Sequence, residues 1–475
     1  MERRWAPIVD RYLTRFPSVT ASDVDRAEEW ASNSSMFYAT GSWRAKVVNG
    51  TLNVKFIRAH SHWAERASVL RMVMMALAEM RDVPDFEFVY AHNDKDPTPP
   101  QWPKCGRRAR QRTAGSCRGW PIPLFTNARS ASADGTIGAG GLPLPDFTWA
   151  GWQKQQPWCQ LSAQLQREAE ARPWSGRDPR AFFAGGLDNG RDRKELRWLL
   201  RADADGGVGA RAHELLRVRD VDAGKWHRWA QFDTANRTGS VSAKQAPLPP
   251  SAACGHRVAL SLAGFGYSSR IRQLLACGAL VVHVAREDEE FFMPALEPDR
   301  HLVVLRGRNA VGAQLLPTLE RLRADERTAA RIAAAGQRFA RRWLSFASVL
   351  AYVRRLLRTY AERFRGAVAL TPGIDTRVTS AADLRKLAGL CDCLPKEATA
   401  GKRKLTATEE AQQAAARVCM NAVPEAWRCS PWPRKGGDRC HAAKCCVGYD
   451  CGDVDLRCGD VADTEPTDDS TMLHG

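Results

Sequence analysis

From Cys254 to His301 the chain reads CGHRVALSLAGFGYSSRIRQLLACGALVVHVAREDEEFFMPALEPDRH. This stretch limits the possible folds more than any other. Val258 to Leu262 is an apolar strand pattern that runs into a glycine turn at Gly264 and Gly266. Ser268, Ser269 and Arg270 follow, then Ile271, Leu274 and Leu275 at helical spacing, then a second apolar strand from Ala279 to Val284. Strand, glycine turn, helix and strand make a βαβ unit, which commits the chain to an α/β fold with parallel strands. The turn offers backbone N–H groups and the positive end of a helix to an anion. Arg270 adds a planar, permanently charged fork suited to phosphate. The ligand class is therefore a nucleotide or another phosphorylated molecule. The turn is neither a GxGxxG dinucleotide fingerprint nor a Walker A loop, since no Gly-Lys-Ser or Gly-Lys-Thr follows. By pattern alone it serves equally well as a glycine-containing turn in a buried parallel sheet, with Arg270 on the surface.

At 475 residues, 44% of them hydrophobic, the chain is long enough and apolar enough for two or three globular regions. No apolar run reaches the ~18–20 residues that a membrane span needs. The opening MERRWAPIVDRYL has no apolar signal-peptide core, so the sequence either lacks a targeting segment or begins after one. The formal charge of +17 is spread along the chain rather than clustered, and no aromatic-stacking RNA motif accompanies it. The expectation is a solvated basic surface that attracts an anionic nucleotide-sugar or acidic glycan, with no nucleic acid as partner.

Of the 14 cysteines, those from Cys391 to Cys458 crowd one short stretch. Cys-x₂-Cys pairs are missing there, which points to a small disulfide module rather than zinc. Such cysteine use, with sequons at Asn33, Asn49 and Asn236, fits an oxidising compartment: the lumen of the endoplasmic reticulum or Golgi, or the exterior.

Three regions are expected. The first, 1–170, mixes helix and strand patterns. It includes a hairpin around Val48-Asn49-Gly50, a helix from Arg66 to Met80 with a Met-rich core face, and a strand from Phe86 to Tyr90 ending in Ala91-His92-Asn93-Asp94. Gln111 to Arg118 reads as an inserted loop and Ser130 to Gly141 as a linker. The second region, 171–365, opens with a strand from Ala181 to Ala184 and alternates helices and strands to a final helix from Ser345 to Phe364. The third, 366–475, is cysteine-rich and partly disordered. Asp203-Ala204-Asp205 spells a metal-binding Asp-x-Asp, but in a Gly-rich turn that reads as surface.

Gly264, Ser268, Arg270, Cys277-Gly278, His283 and Glu290-Phe291-Phe292 stand in the order and spacing of a known pattern. The stretch resembles the donor-binding half of glycosyltransferase family 90, the protein O-glucosyltransferases of Rumi type and the capsule-associated proteins. The resemblance covers roughly 35–365. It implies a GT-B fold, two Rossmann-like domains with a C-terminal crossing helix, here extended by the cysteine-rich tail. It also implies inverting, metal-independent transfer of a sugar from UDP-glucose or UDP-xylose to a hydroxyl of a protein or glycan, with no cofactor besides the donor.

Carried over residue by residue, the resemblance makes Asp94 the catalytic base, since it lies seven residues after Glu87 of a Pro-Asp-x-Glu strand. Asp96 is the fallback. Phe265, Gly266, Tyr267, Ser268, Ser269 and Arg270 would bind the uridine diphosphate, and Glu290 the ribose. Cys254 and Cys277 match a disulfide pair. Pro143-Leu144-Pro145-Asp146-Phe147-Thr148-Trp149 matches a segment near the acceptor cleft, where Trp149 and Trp152 stack on substrate or belong to the core. His283 reads as a core histidine.

One departure stands out. After Phe182-Phe183 the family pattern has Arg-Gly-Ser-Arg or a Lys-Gly-Asn variant, whereas this chain has Ala184-Gly185-Gly186-Leu187. Gly185 remains in the donor group. Arg191 is placed there as the match to a later Arg-Asp pair, with Arg193 as the other compensating cation. The alternatives are a different donor or weakened activity. The loss also leaves open an inactive member that serves as a carbohydrate- or protein-binding module.

Overall fold

Asn49 and Gly50 take positive φ values of 49° and 71°, the left-handed pair that a two-residue hairpin turn needs. They join strands β2 (Ser42–Val48) and β3 (Thr51–Arg58) of the first sheet. Before them stand helix α1 (Glu2–Leu13), strand β1 (Val19–Thr20) and helix α2 (Ala21–Asn33). The computed structural model describes residues 1–33, 41–58, 68–92, 122–130, 141–151, 157–201, 208–220, 248–264, 266–286 and 288–379. The expected cysteine-rich module, the inserted loop at 111–118, most of the 130–141 linker and Asp203-Ala204-Asp205 lie outside the described residues.

The first half continues with α3 (Ser68–Ala78), β4 (Phe86–Ala91), β5 (Leu124–Thr126), β6 (Arg129–Ser130), β7 (Leu142–Pro143), α4 (Phe147–Ala150) and α5 (Trp158–Glu170). Val69, Met72 and Val73 of α3 are fully buried, as a helical core stripe requires. β4, β5 and β7 run parallel, while β2 and β3 add an antiparallel flank, so this sheet is mixed rather than wholly parallel. The reason is local: a two-residue turn joins only antiparallel strands, and parallel neighbours need a crossover.

The second sheet is built from β8 (Ala181–Ala184), β9 (Leu216–Arg219), β10 (Val258–Ser261), β11 (Leu280–Val284) and a later strand, β13 (Val303–Leu305). All are parallel, in the order β13-β11-β10-β8-β9. Helices α6 (Arg191–Arg201), α7 (Val208–Leu215) and α8 (Ile271–Ala276) lie between strands in sequence.

The strands are apolar at consecutive positions because both faces of the sheet are covered. Ala181, Phe183, Val258, Leu260, Leu280, Val282 and Val284 enter one core, and Phe182, Ala259 and Val281 enter the other. Arg177 ties two helix ends together there, donating to the carbonyls of Ala169 at 3.0 Å, Cys277 at 3.0 Å and Gly278 at 2.7 Å. Cys254 and Cys277 form a disulfide.

Short strand β12 (Asp288–Glu289) leaves the second half to pair antiparallel with β6. After β13 the chain forms α9 (Ala310–Ala324), α10 (Glu326–Trp343) and α11 (Phe346–Arg363). The Asp325 carboxylate caps α10 through Thr328 N–H at 3.0 Å, and Ser345 caps α11 through Ser348 N–H at 3.3 Å. α11 packs back on the first half: Tyr360 donates to Glu87 O at 3.1 Å, Tyr352 to Pro143 O at 2.6 Å, and Trp5 of α1 to Ser348 O at 2.8 Å. Strand β14 (Phe364–Arg365) then pairs with β1, and β15 (Thr376–Val378) becomes an edge strand beside β3. The chain thus stays in the folded body past the expected boundary at 366. Among the described residues no helix is long and apolar enough to cross a membrane.

Candidate active site

A cavity of about 430 Å³ opens where the two halves meet. Parallel strands bring their C-terminal ends to one edge, where α/β folds gather ligands. Phe183 and Ala184 at the end of β8, Leu260 of β10, and Ser268, Ser269 and Arg270 of the following loop line one side. Asp146, Phe147 and Thr148, just past β7, line the other. Of the sequence-derived donor residues, Tyr267, Ser268, Ser269 and Arg270 are together in this wall, and buried Gly266 is beside them in sequence. Phe265 lies outside the described residues.

Arg270 lies over the Phe183 ring at 5.2 Å and donates to the Ala184 carbonyl. A Cβ on Gly185 would sit 3.2 Å from the Arg270 guanidinium and 3.2 Å from the Phe183 ring, so a side chain there would crowd both.

The cation beside Arg270 is Arg193. Arg191 is largely exposed and ion-paired with Glu195 at 3.0 Å, one helical turn along α6. Asp192 turns inward and accepts from Arg286 Nε at 2.6 Å. Arg193, 7% exposed, also lines the cavity, with its guanidinium 5.6 Å from the same ring. It donates to Leu262 O at 3.2 Å, and its buried Nε has no partner among the described residues. Burial, then the neighbouring Arg270 charge, holds Arg193 down to about 9, and burial holds Arg270 down to about 10, so both stay charged at neutral pH. Among the described residues neither has a carboxylate partner.

The opposite wall holds a buried polar cluster that the sequence did not announce. Tyr267 donates to Asp146 Oδ2 at 2.6 Å and accepts from Asn127 Nδ2 at 2.9 Å. Asp146 also caps α4, accepting from Thr148 N–H at 2.9 Å. Arg272, fully buried, faces Asp146 Oδ1 at 3.8 Å and Glu290 Oε1 at 3.5 Å, and stacks over Trp149 at 4.3 Å. Trp149 is therefore a core residue; Trp152 lies outside the described residues.

Glu290 is 1% exposed and takes part in this cluster rather than in the cavity lining. Burial pushes its carboxyl up to about 8, against the pull of Arg272. His283 is held down to about 4 by burial, with Nδ1 3.3 Å from Ser261 Oγ.

Asp94 and Asp96 lie outside the described residues. Their strand, β4, ends at Ala91, and the ring of buried His92 is 5.4 Å from Phe147 of the cavity wall.

These features define a class: an α/β protein with a cleft between two sheets and two arginines on its wall. Residues 28–391 match the family model described as glycosyl transferase family 90, and the chain belongs to that family of glycosyltransferases. It is 26% identical over 218 residues to protein O-glucosyltransferase 1 of Homo sapiens, covering 46% of this chain and 50% of that one. It is 27% identical over 205 residues to O-glucosyltransferase rumi of Drosophila pseudoobscura pseudoobscura, covering 43% and 46%. To the O-glucosyltransferase rumi homolog of Anopheles gambiae it is 28% identical over 273 residues, covering 53% and 61%. The chain spans about half the length of the curated relatives it matches.

Proposed function

We propose that this glycosyltransferase moves a sugar, glucose or xylose, from a UDP-sugar to a hydroxyl of a protein or glycan acceptor, with inversion and without a metal. The observation that carries the reading is the pair Arg193 and Arg270: two cations on one ring at the rim of the cavity, with no carboxylate partner among the described residues. Two such charges call for an anion, and a diphosphate fits their number and spread.

In the proposed reaction the acceptor oxygen attacks the anomeric carbon from the face opposite the diphosphate. The new C–O bond forms as the bond to the β-phosphate oxygen breaks, and the acceptor proton passes to the Asp94 carboxylate. Arg270 and Arg193 stabilise charge growing on the departing UDP, the task a divalent cation performs elsewhere. Ser268 and Ser269 add hydroxyl donors at the same wall. Asp94 follows a strand whose end abuts Phe147 of the cavity, which favours it as base. The return of α11 onto the first half supports a GT-B arrangement. The Cys254–Cys277 disulfide supports a lumenal or exported enzyme. The names of the relatives favour glucose and a protein acceptor.

The test is UDP release by purified protein across a panel of UDP-sugars in EDTA, for wild type, Asp94→Asn and Arg270→Ala. Sugar-selective release that survives EDTA and falls about 10²–10⁴-fold in Asp94→Asn and 10²–10³-fold in Arg270→Ala is expected. Release that needs a divalent ion, or that persists in Asp94→Asn, overturns the corresponding half of the reading.

A further inference from the structure

The donor loop is fastened at both ends to one carboxylate of the opposite half. On the N-terminal side of Arg270, Tyr267 donates its hydroxyl to Asp146 Oδ2 at 2.6 Å. On the C-terminal side, Arg272 Nη1 faces Asp146 Oδ1 at 3.8 Å. Between them Ser268, Ser269 and Arg270 form part of the cavity wall. Asp146 itself is held: its Oδ1 caps α4 through Thr148 N–H at 2.9 Å, and it is only 2% exposed. Asn127, 1% exposed, completes the Tyr267 oxygen by donating at 2.9 Å. Asn127 follows β5 and Asp146 follows β7, so both attachments come from the C-terminal edge of the first sheet.

A loop of small residues has many conformations to lose when it wraps a ligand, and fixing it beforehand recovers that loss as affinity. Hydrogen bonds to a buried carboxylate are among the stronger ones, and leaving such an oxygen without its partner is costly. The attachment therefore holds the loop in one shape before the donor arrives. It also makes donor binding depend on the first half, which supplies none of the loop's own residues.

We infer that Asp146 is a positioning residue: acting through Tyr267 and Arg272, it sets the conformation of the 266–272 loop for a nucleoside diphosphate. The inference rests on the proposed function in assigning the diphosphate to this loop; the attachment itself does not.

Two readouts separate these. In the ligand-free full chain, amide hydrogen exchange of residues 266–272 should be about tenfold faster in Tyr267→Phe than in wild type, at unchanged protection of β10 and β11. UDP titration should show Kd raised about tenfold in Tyr267→Phe, with donor KM rising likewise and kcat within a few-fold. Asp146→Ala should weaken UDP at least as much. Tyr267→Phe should then add little in the Asp146→Ala background, since both changes remove the same contact. If Asp146→Ala fails to fold, the loop exchange and UDP affinity of Tyr267→Phe alone carry the test.

Loop exchange in Tyr267→Phe equal to wild type, or additive losses in the double variant, would overturn the inference. Faster loop exchange together with a wild type that binds no UDP would uphold the attachment and sink the donor reading instead.

Discussion

Arg193 and Arg270 share one ring: their guanidinium carbons stand 5.6 and 5.2 Å from the Phe183 centroid, on the cavity rim. One residue is in the first turn of α6 and the other just before α8, 77 positions apart by their numbers (270 minus 193). The aromatic face attracts each cation, but it does not cancel the repulsion between them. Some of that repulsion remains in the fold, and an anion bound between the two side chains would offset it.

Replacing Arg193 by Met should therefore separate binding from stability. UDP affinity is expected to fall about 10–100-fold, the range for a charge-assisted contact. The ligand-free protein should melt no lower than wild type, because a buried like charge has gone. Titration calorimetry and thermal unfolding of the same samples check both. A variant that melts lower and binds UDP normally would make Arg193 a structural residue.

UDP should also raise the melting temperature of wild type, by an amount that grows with ligand concentration. The effect should shrink in high salt, because partly exposed charge contacts are screened. A melting point indifferent to UDP up to millimolar concentration would refute a nucleotide site here.

Glu290 gives a pH prediction. Its carboxyl is raised to about 8 in the fold, against an ordinary value of 4.5. The folded state therefore binds the proton more tightly, and stability from this group is lost as pH rises from about 4.5 through 8. Glu290→Gln mimics the protonated form. It should unfold with a smaller drop in stability between pH 6 and pH 8.5 than wild type, a difference on the order of 1–3 kcal/mol. Parallel pH dependences in denaturant melts would contradict this.

Gly190 has φ of 101°, and a Cβ there would lie 2.3 Å from the Gly264 carbonyl oxygen. Gly190→Ala is expected to cost about 1–3 kcal/mol and to displace the approach between the loops that flank Arg193. Chemical denaturation reads the first effect and UDP titration the second.

The Cys254–Cys277 disulfide closes a loop of sequence separation 23 and joins segments that both border the cavity, at Ala253 and Leu274. By loop entropy alone it stabilises by about 3 kcal/mol. Cys254→Ser with Cys277→Ser should lower the midpoint of unfolding accordingly. UDP-sugar turnover should be lost at lower temperature in the double variant than in wild type.

Much of the fold was legible because it depends on neighbours in the chain. The Ala181–Ala184 strand, the α11 helix and the Asn49-Gly50 hairpin follow from a short apolar run, spacing near 3.6 and turn chemistry. The mixed character of the first sheet was not legible, since a strand's partner is chosen by burial of a whole face. At the site, Tyr267 to Arg270, which are contiguous in sequence, line the cavity together. Arg191 and Arg193 sit in the same basic run, RDRKELR. Only the helix orientation tells that one meets Glu195 and the other enters the cavity. Glu290 carried no mark of burial beyond the Phe291-Phe292 pair that follows it.

The sequence by itself determined the parallel α/β core and the loop that ends in Arg270, because apolar periodicity and backbone turn preferences act over a few residues. The tertiary structure alone decided that Arg193 stands beside Arg270, that Glu290 is sealed against Arg272, and that Asp146 holds Tyr267. Those relations join side chains 18 to 121 positions apart, the separations of Arg272 from Glu290 and of Tyr267 from Asp146. They exist only once packing has closed the distance and removed the water that would otherwise separate the charges.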